Sequence, residues 1–467
     1  VQANNESGIY EVPTLGGTPR LIEKSVSRHT ATVSPDHKSL AFIENGNLLV
    51  IVDLIKGTRR VASKALPGEY WYGISWHPNG RSIAGTITDS DKVISRLYTI
   101  DPDTGVRKEI KSFPWRNAYE LTWLADGSGI ILSGTDKANA PRQIWRVSYP
   151  DGRAERITND TNSYFGISLT RDGNSLLTTK IESDRGLWLS GSRFRKYGEK
   201  ITISKTKNEG LLGVSFVPGD RILFTVVTSK GSNIWSANLD GSNSRQLTFD
   251  SFTDFFPKIS PDGRRIIFIS SRNGKNDLWS MKIDGTDLVQ ITDTPEQESF
   301  PSFGPDGDTI VYQRADMNND VTVWKLGLNS RSSVQLSKDP VRRPVISEDG
   351  KFVAGVYGFG DEKECDSVAV YSIDGGKPLK ILDLPQVVKS IFRWSDDGNG
   401  LIYIDNRNGA DNLWEQPFDS KPPKQLTDFD SHEITAFDIS KDGKNFLLSR
   451  GESFYDLVII GDLKRSN

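Results

Sequence analysis

A single cysteine, Cys365, stands among 467 residues, so neither a disulfide framework nor a thiolate metal site can be built. Charge of one sign is also missing. Lys and Arg number 58 against 61 Asp and Glu, for a formal net charge of −3. No long basic run occurs, and the footprint of a nucleic-acid binder is absent. No apolar run approaches the roughly 18 residues of a membrane span, which argues against direct insertion. Histidine is scarce: His29, His37, His77 and His432, none at metal-ligand spacing and none in an HExxH pair. There is no Gly-x-Ser-x-Gly elbow, phosphate-binding loop or strand–glycine–helix fingerprint. These absences lead to an expectation of no catalysis, no cofactor and no metal. The chain opens at Val1 rather than Met, and no signal peptide precedes it. Either a leader has been removed or this is a domain of a longer protein, with an extracytoplasmic (periplasmic or secreted) location expected.

What is present is repetition. Glycine is abundant at 42 residues and tryptophan at 11, while helical periodicity is hard to find. From Ser260 the chain reads SPDGRRIIFISSRNGKNDLWSMKIDG, and close variants begin at Gly304, Ser395 and Ser440. Aligned on the Asp-Gly turn, the repeats place Asp36, Asn79, Asp126, Asp172, Gly219, Asp262, Asp306, Asp349, Asp397 and Asp442 at successive separations of 43 to 48 residues. That period belongs to four-stranded propeller blades. Each unit has a short apolar segment, the turn, an alternating strand, a tight hairpin, an aromatic strand (Trp145, Trp235, Trp279, Trp324 and Trp414 among them) and a polar outer strand. The recurring Trp reads as packing between blades. One blade cannot cover both of its faces, so neighbours must stack on each side.

The fold class expected is therefore all-β: a β-propeller of four-stranded antiparallel blades, about ten repeats of roughly 45 residues in one ring over 1–467. The alternative is two propellers broken near residue 206, at the polar junction KTKNEG. The last repeat lacks an outer strand, and Thr18 to Ile22 is expected to supply it as a latch.

The pattern S-P-D-G-x-x-I-x-F…R-x-G…D-L-W…D-G…Q-L-T resembles the TolB-type propeller repeat, relatives of which also form the propellers of prolyl-oligopeptidase-like peptidases. GIYEVPTLGGTPRLI at Gly8 to Ile22, QIWRVSYPDGRAERITND at Gln143 to Asp160, NLWEQPFDSKPPKQLTDF at Asn412 to Phe429 and LLSRGESFYDLVII at Leu447 to Ile460 narrow the likeness. They are similar to the C-terminal propeller regions of bacterial, especially acidobacterial, receptor-like serine/threonine kinases and winged-helix regulators. The resemblance implies a sensor or scaffold within a larger protein or assembly. The turns at Asp36 (PDHK), Asn79 (HPNG) and Gly219 (VPGD) depart from the family pattern.

Two acidic hairpins look like ligand loops and read as solvated turns. Asp316 to Asp320 imitates half of a calcium loop, but its sixth position is Val321 and its twelfth Gly327. Asp361 to Glu364 lies in the equivalent hairpin one repeat later. More informative is the place seven residues ahead of each turn: His29, Tyr72, Tyr119, Phe165, Leu212, Phe255, Ser299, Arg342, Ser390 and Thr435. Here each chain enters its innermost strand, and Trp71, Tyr164, Phe256, Phe300 and Arg343 adjoin. Tyr72, Tyr119, Phe165, Phe255, Arg342 and Arg343 are the candidate rim of the channel mouth, of residue types enriched at binding hot spots. Packing of these side chains between blades remains the open alternative. A non-catalytic recognition propeller binding a protein, peptide or glycan follows; the rival is a propeller lyase or hydrolase, or the propeller part of a peptidase.

Overall fold

The computed structural model describes the chain apart from residues 1, 4–5, 14–16, 25–30, 90–93, 138–139, 171, 192–197, 202, 204–207, 229–230, 317–319, 358–366, 385–390, 408, 420 and 464–467. His29, Thr206, Met317 to Asn319, the 361–364 acidic stretch, Cys365 and Ser390 thus lie outside the described residues. No helix occurs among the described residues, and the strands form antiparallel sheets, most of them four-stranded and paired in chain order. The protein is a multi-blade β-propeller.

The turn that marks the repeat explains why these residues form these sheets. Ser260 Oγ donates to Asp262 Oδ1 (2.5 Å), and the same carboxylate oxygen accepts the Arg264 N–H (3.1 Å). Gly263 then turns the chain at φ 73°, a conformation that glycine adopts without steric cost. The arrangement recurs at Ser347–Asp349 (2.6 Å) and Ser395–Asp397 (2.7 Å). Each turn thereby sets the register of the two strands it joins.

Contacts divide the chain into two compact units. The first comprises 1–137, 141–181 and 455–467, the second 138–140 and 182–454. The chain passes from one to the other within Leu176–Gly191 and returns within Asn445–Ile460.

In the first unit, four-stranded sheets occupy 31–64, 69–115 and 117–156. Ser163–Leu169 pairs the leading half of Leu176–Gly191. At the N-terminus, Arg20–Lys24 pairs Glu6–Glu11 in a three-stranded sheet. Ile9 and Ile22 of that sheet pack on Phe42 and Val50. The expected pairing of Thr18 to Ile22 with the last repeat is therefore corrected: this segment has a partner in its own sheet.

The second unit is a closed ring of six sheets. Its inner strands are Glu209–Val217, Asp254–Ile259, Gln297–Phe303, Val341–Ile346, Phe392–Trp394 and Glu433–Ile439. A separate hydrophobic cluster joins each sheet to the next, and a sixth joins the last to the first. In that closing cluster Leu187, Leu189 and Ile201 meet Val214, Phe224, Ala436 and Leu447. Residues 182–191 and Glu199–Ile201 are thus the outer strands that the final repeat lacks. The latch of these six sheets is supplied from residue 182 onward and not from the N-terminus. The division between the units falls at 181/182 and 454/455.

The tryptophans also depart from expectation. Trp145 is buried, whereas Trp235, Trp279, Trp324 and Trp414 are half-buried. Each sits directly across from a fully buried strand-two residue: Phe224 for Trp235, Phe268 for Trp279, Tyr312 for Trp324 and Tyr403 for Trp414. In three of these sheets an arginine lies over the exposed face: Arg272 at 4.8 Å, Arg314 at 3.9 Å and Arg407 at 4.3 Å from the ring centroids. A carboxylate holds each arginine: Asp254 for Arg272, Glu298 for Arg314 and Asp405 for Arg407. The cation caps an indole that the next blade leaves partly uncovered.

Candidate functional site

The inner strands of the second unit carry a register break at a repeated place, between Phe255 and Lys258, Ser299 and Ser302, and Arg342 and Val345. Such a bulge adds one residue, which re-aims side chains and changes the count of which residues face inward. Phe256, Phe300 and Arg343 occupy these bulges at φ 52°, 52° and 55°, and Gly213 holds the matching place at φ 131°. For residues with a side chain this backbone costs about 1–3 kcal/mol each, strain that points to function when the surrounding structure holds it in place.

Those residues open onto a cavity of about 660 Å³ lined by all six inner strands of the ring. Two tiers of side chains line it. Six residues ahead of each turn stand Gly213, Phe256, Phe300, Arg343, Ile391 and Ala436; four residues ahead stand Ser215, Lys258, Ser302, Val345, Arg393 and Asp438. The first tier is lopsided. Phe256 and Phe300 stack with centroids 4.3 Å apart, and the Arg343 guanidinium lies 5.5 Å from the Phe300 ring. Burial, with Arg342 beside it, lowers the Arg343 pKa.

The second tier is charged. Asp438 accepts from Lys258 Nζ (3.2 Å), Arg393 Nε (3.2 Å) and the Phe216 N–H (2.9 Å). Arg393 donates its remaining nitrogens to the Phe392 and Phe437 carbonyls. Burial, reinforced by Arg393, pushes the Lys258 ammonium down to about 8, against the opposing pull of Asp438. Burial works to raise the Asp438 carboxyl, but Lys258, Arg393 and the Phe216 N–H together hold it below the usual range.

The predicted rim residues fall in several environments. Tyr72, Tyr119 and Phe165 do come together, in the first unit. The rings of Tyr72 and Tyr119 meet edge-on at 5.6 Å, and Arg142 lies between Tyr119 (3.6 Å) and Phe165 (3.9 Å). Burial raises the Tyr72 hydroxyl and lowers the Arg142 guanidinium. Phe255 is only 4% exposed and packs with Ile267, Leu278 and Tyr312 between two blades; as a rim residue it is replaced by its neighbour Phe256. Arg342 is half-buried and does not line the cavity, whereas Arg343 does. Sequence reasoning missed Lys258, Arg393 and Asp438. Their signal was available, since charged residues stand four places before three of the turns, but the repeats were compared seven places ahead. Among the described residues no three His, Cys, Asp or Glu side chains gather as a metal-holding group.

Residues 198–390 match the family described as the TolB β-propeller domain. The matched segment lies within the second unit and carries the Phe256, Phe300, Arg343 and Lys258 positions. An uncharacterized protein of Agrobacterium fabrum is 36% identical over 189 residues, which make up 39% of this chain. The chain spans 62% of the length of that relative. TolB from Acinetobacter baumannii is 14% identical, with 74% of this chain and 78% of that one covered, at a TM-score of 0.30. An oligogalacturonate lyase in complex with manganese is 11% identical, with 84% and 98% covered, at a TM-score of 0.33.

Proposed function

We propose that the second unit is a non-catalytic recognition propeller that takes a segment of a protein or peptide partner into its channel. The observation that carries this reading is the strained trio Phe256, Phe300 and Arg343, held at positive φ in three successive blades on one side of the cavity. An aromatic pair beside an arginine supplies rigid contact area and a donor fork, the residue types that dominate binding energy at interfaces. Repeats that share one backbone make an asymmetric site by varying these positions. A role as the sensor or scaffold part of a larger, extracytoplasmic bacterial protein goes with this reading, supported by the TolB likeness; fractionation of the native host tests the location.

Panning a random dodecapeptide display library against the chain tests the recognition role. The recovered peptides should lose binding to a Phe256→Gly, Phe300→Gly variant and keep it to a Tyr119→Ala variant. Glycine accepts the same φ, so the double variant should still fold. Failure to recover any peptide, or equal binding by the double variant, overturns the proposal.

A further inference from the structure

We infer that the deeper tier of the same channel is a carboxylate subsite, in which Lys258, oriented by Asp438 and Arg393, takes an acidic group of the inserted segment. This rests on the recognition reading above and names the chemistry of what enters. The tier holds two cations and one carboxylate, and its other members are Ser215, Ser302 and Val345. A purely structural ion pair would need one cation. Here Arg393 already serves Asp438 and fixes itself on two carbonyls. Asp438 in turn has three donors, so it is well satisfied whether or not Lys258 also turns elsewhere.

An ammonium carries three protons, and Asp438 takes one of those of Lys258. The other two are available to the cavity, in a channel whose walls focus the excess positive charge. Ser302 adds a second donor: its Oγ accepts the Ile346 N–H at 3.3 Å, which leaves the hydroxyl proton to give. Of the other charged lining residues, Asp220 and Glu348 are balanced by Arg343 and Lys441, which leaves this excess intact. Two such donors suit a carboxylate, whether a Glu or Asp side chain or a chain terminus.

The experiment has two parts. First, the wild-type chain is treated with acetic anhydride, and acetylation at Lys258 is read by peptide mass spectrometry in the presence of glutarate or of glutaramide. Glutarate should protect Lys258 and glutaramide should not; equal labelling in both overturns the subsite. Second, a peptide recovered from the display library is remade with Glu and Asp changed to Gln and Asn, and separately with a C-terminal amide. One of the two changes should weaken binding about ten- to a hundredfold, the range of a hydrogen bond to a charged group, and which one identifies the source of the carboxylate. Lys258→Met should erase that preference and Lys258→Arg should keep it. If peptides bind and depend on Phe256 and Phe300 yet show no acid preference, the subsite is refuted while recognition stands. If no peptide binds, recognition itself fails, and glutarate protection of Lys258 then decides the subsite alone.

Discussion

Replacing Lys258 by Met should remove a rise in stability that the wild-type second unit shows on the alkaline side. The folded chain releases the Lys258 proton near 8, against an ordinary value of 10.5. Between those limits the unfolded chain binds more protons than the folded one, so stability increases as pH rises through the window. The direction follows from the cause: burial penalises the ammonium in the folded state, Arg393 adds repulsion, and the attraction of Asp438 offsets only part of both. At about 1.36 kcal/mol for each tenfold change in proton affinity, the gain is on the order of 3 kcal/mol. The Lys258 side chain is 20% exposed, so water reduces that figure and it stands as an upper bound. Urea unfolding followed by tryptophan fluorescence, at several pH values from 7.5 to 10.3, gives the wild-type profile. Subtracting the Lys258→Met profile cancels the other lysines and the tyrosines. Parallel profiles, or a wild-type curve that falls relative to the variant, would refute the account of a desolvated ammonium in the channel.

Further tests address the ring and its sheets. Leu187→Ala, at a fully buried position of the latch, should cost about 2–5 kcal/mol and lower the melting temperature followed by circular dichroism; an unchanged melt would mean that the latch does not close the ring. Arg314→Ala uncovers Trp324 and leaves the buried Glu298 without its cation, a loss of about 3–5 kcal/mol. Adding Glu298→Gln should recover part of it in denaturant titrations, and no recovery would show that the carboxylate was satisfied by its other donors, the Thr292 and Thr294 hydroxyls and the Leu278 N–H. Phe256→Gly should change stability by no more than about 1 kcal/mol, since relief of positive φ offsets the lost stacking on Phe300; a large loss would place Phe256 in the core rather than on the channel wall.

Much of this protein is legible from its repeats. The Ser-x-Asp-Gly turn reads directly as geometry, because the serine hydroxyl, the carboxylate and a glycine at positive φ are all local. From it follow the antiparallel sheets, their order and the propeller class. Three matters were decided by tertiary structure. Ring size was one: local signals repeat ten times without saying where a ring closes, and closure depends on Leu187 and Ile201 finding Val214 and Ala436 across long separations. The depth of the tryptophans was another, since an arginine of the same sheet covers a ring that the adjacent blade leaves open. The channel wall was the third. Side chains alternate along a strand with a period of two, so a single bulge residue inverts which of them face inward. Comparing the repeats seven places ahead of the turn therefore led to Phe255 and Arg342, with Arg343 beside them, whereas the bulge residues Phe256 and Arg343 and, nearer the turn, Lys258 line the cavity.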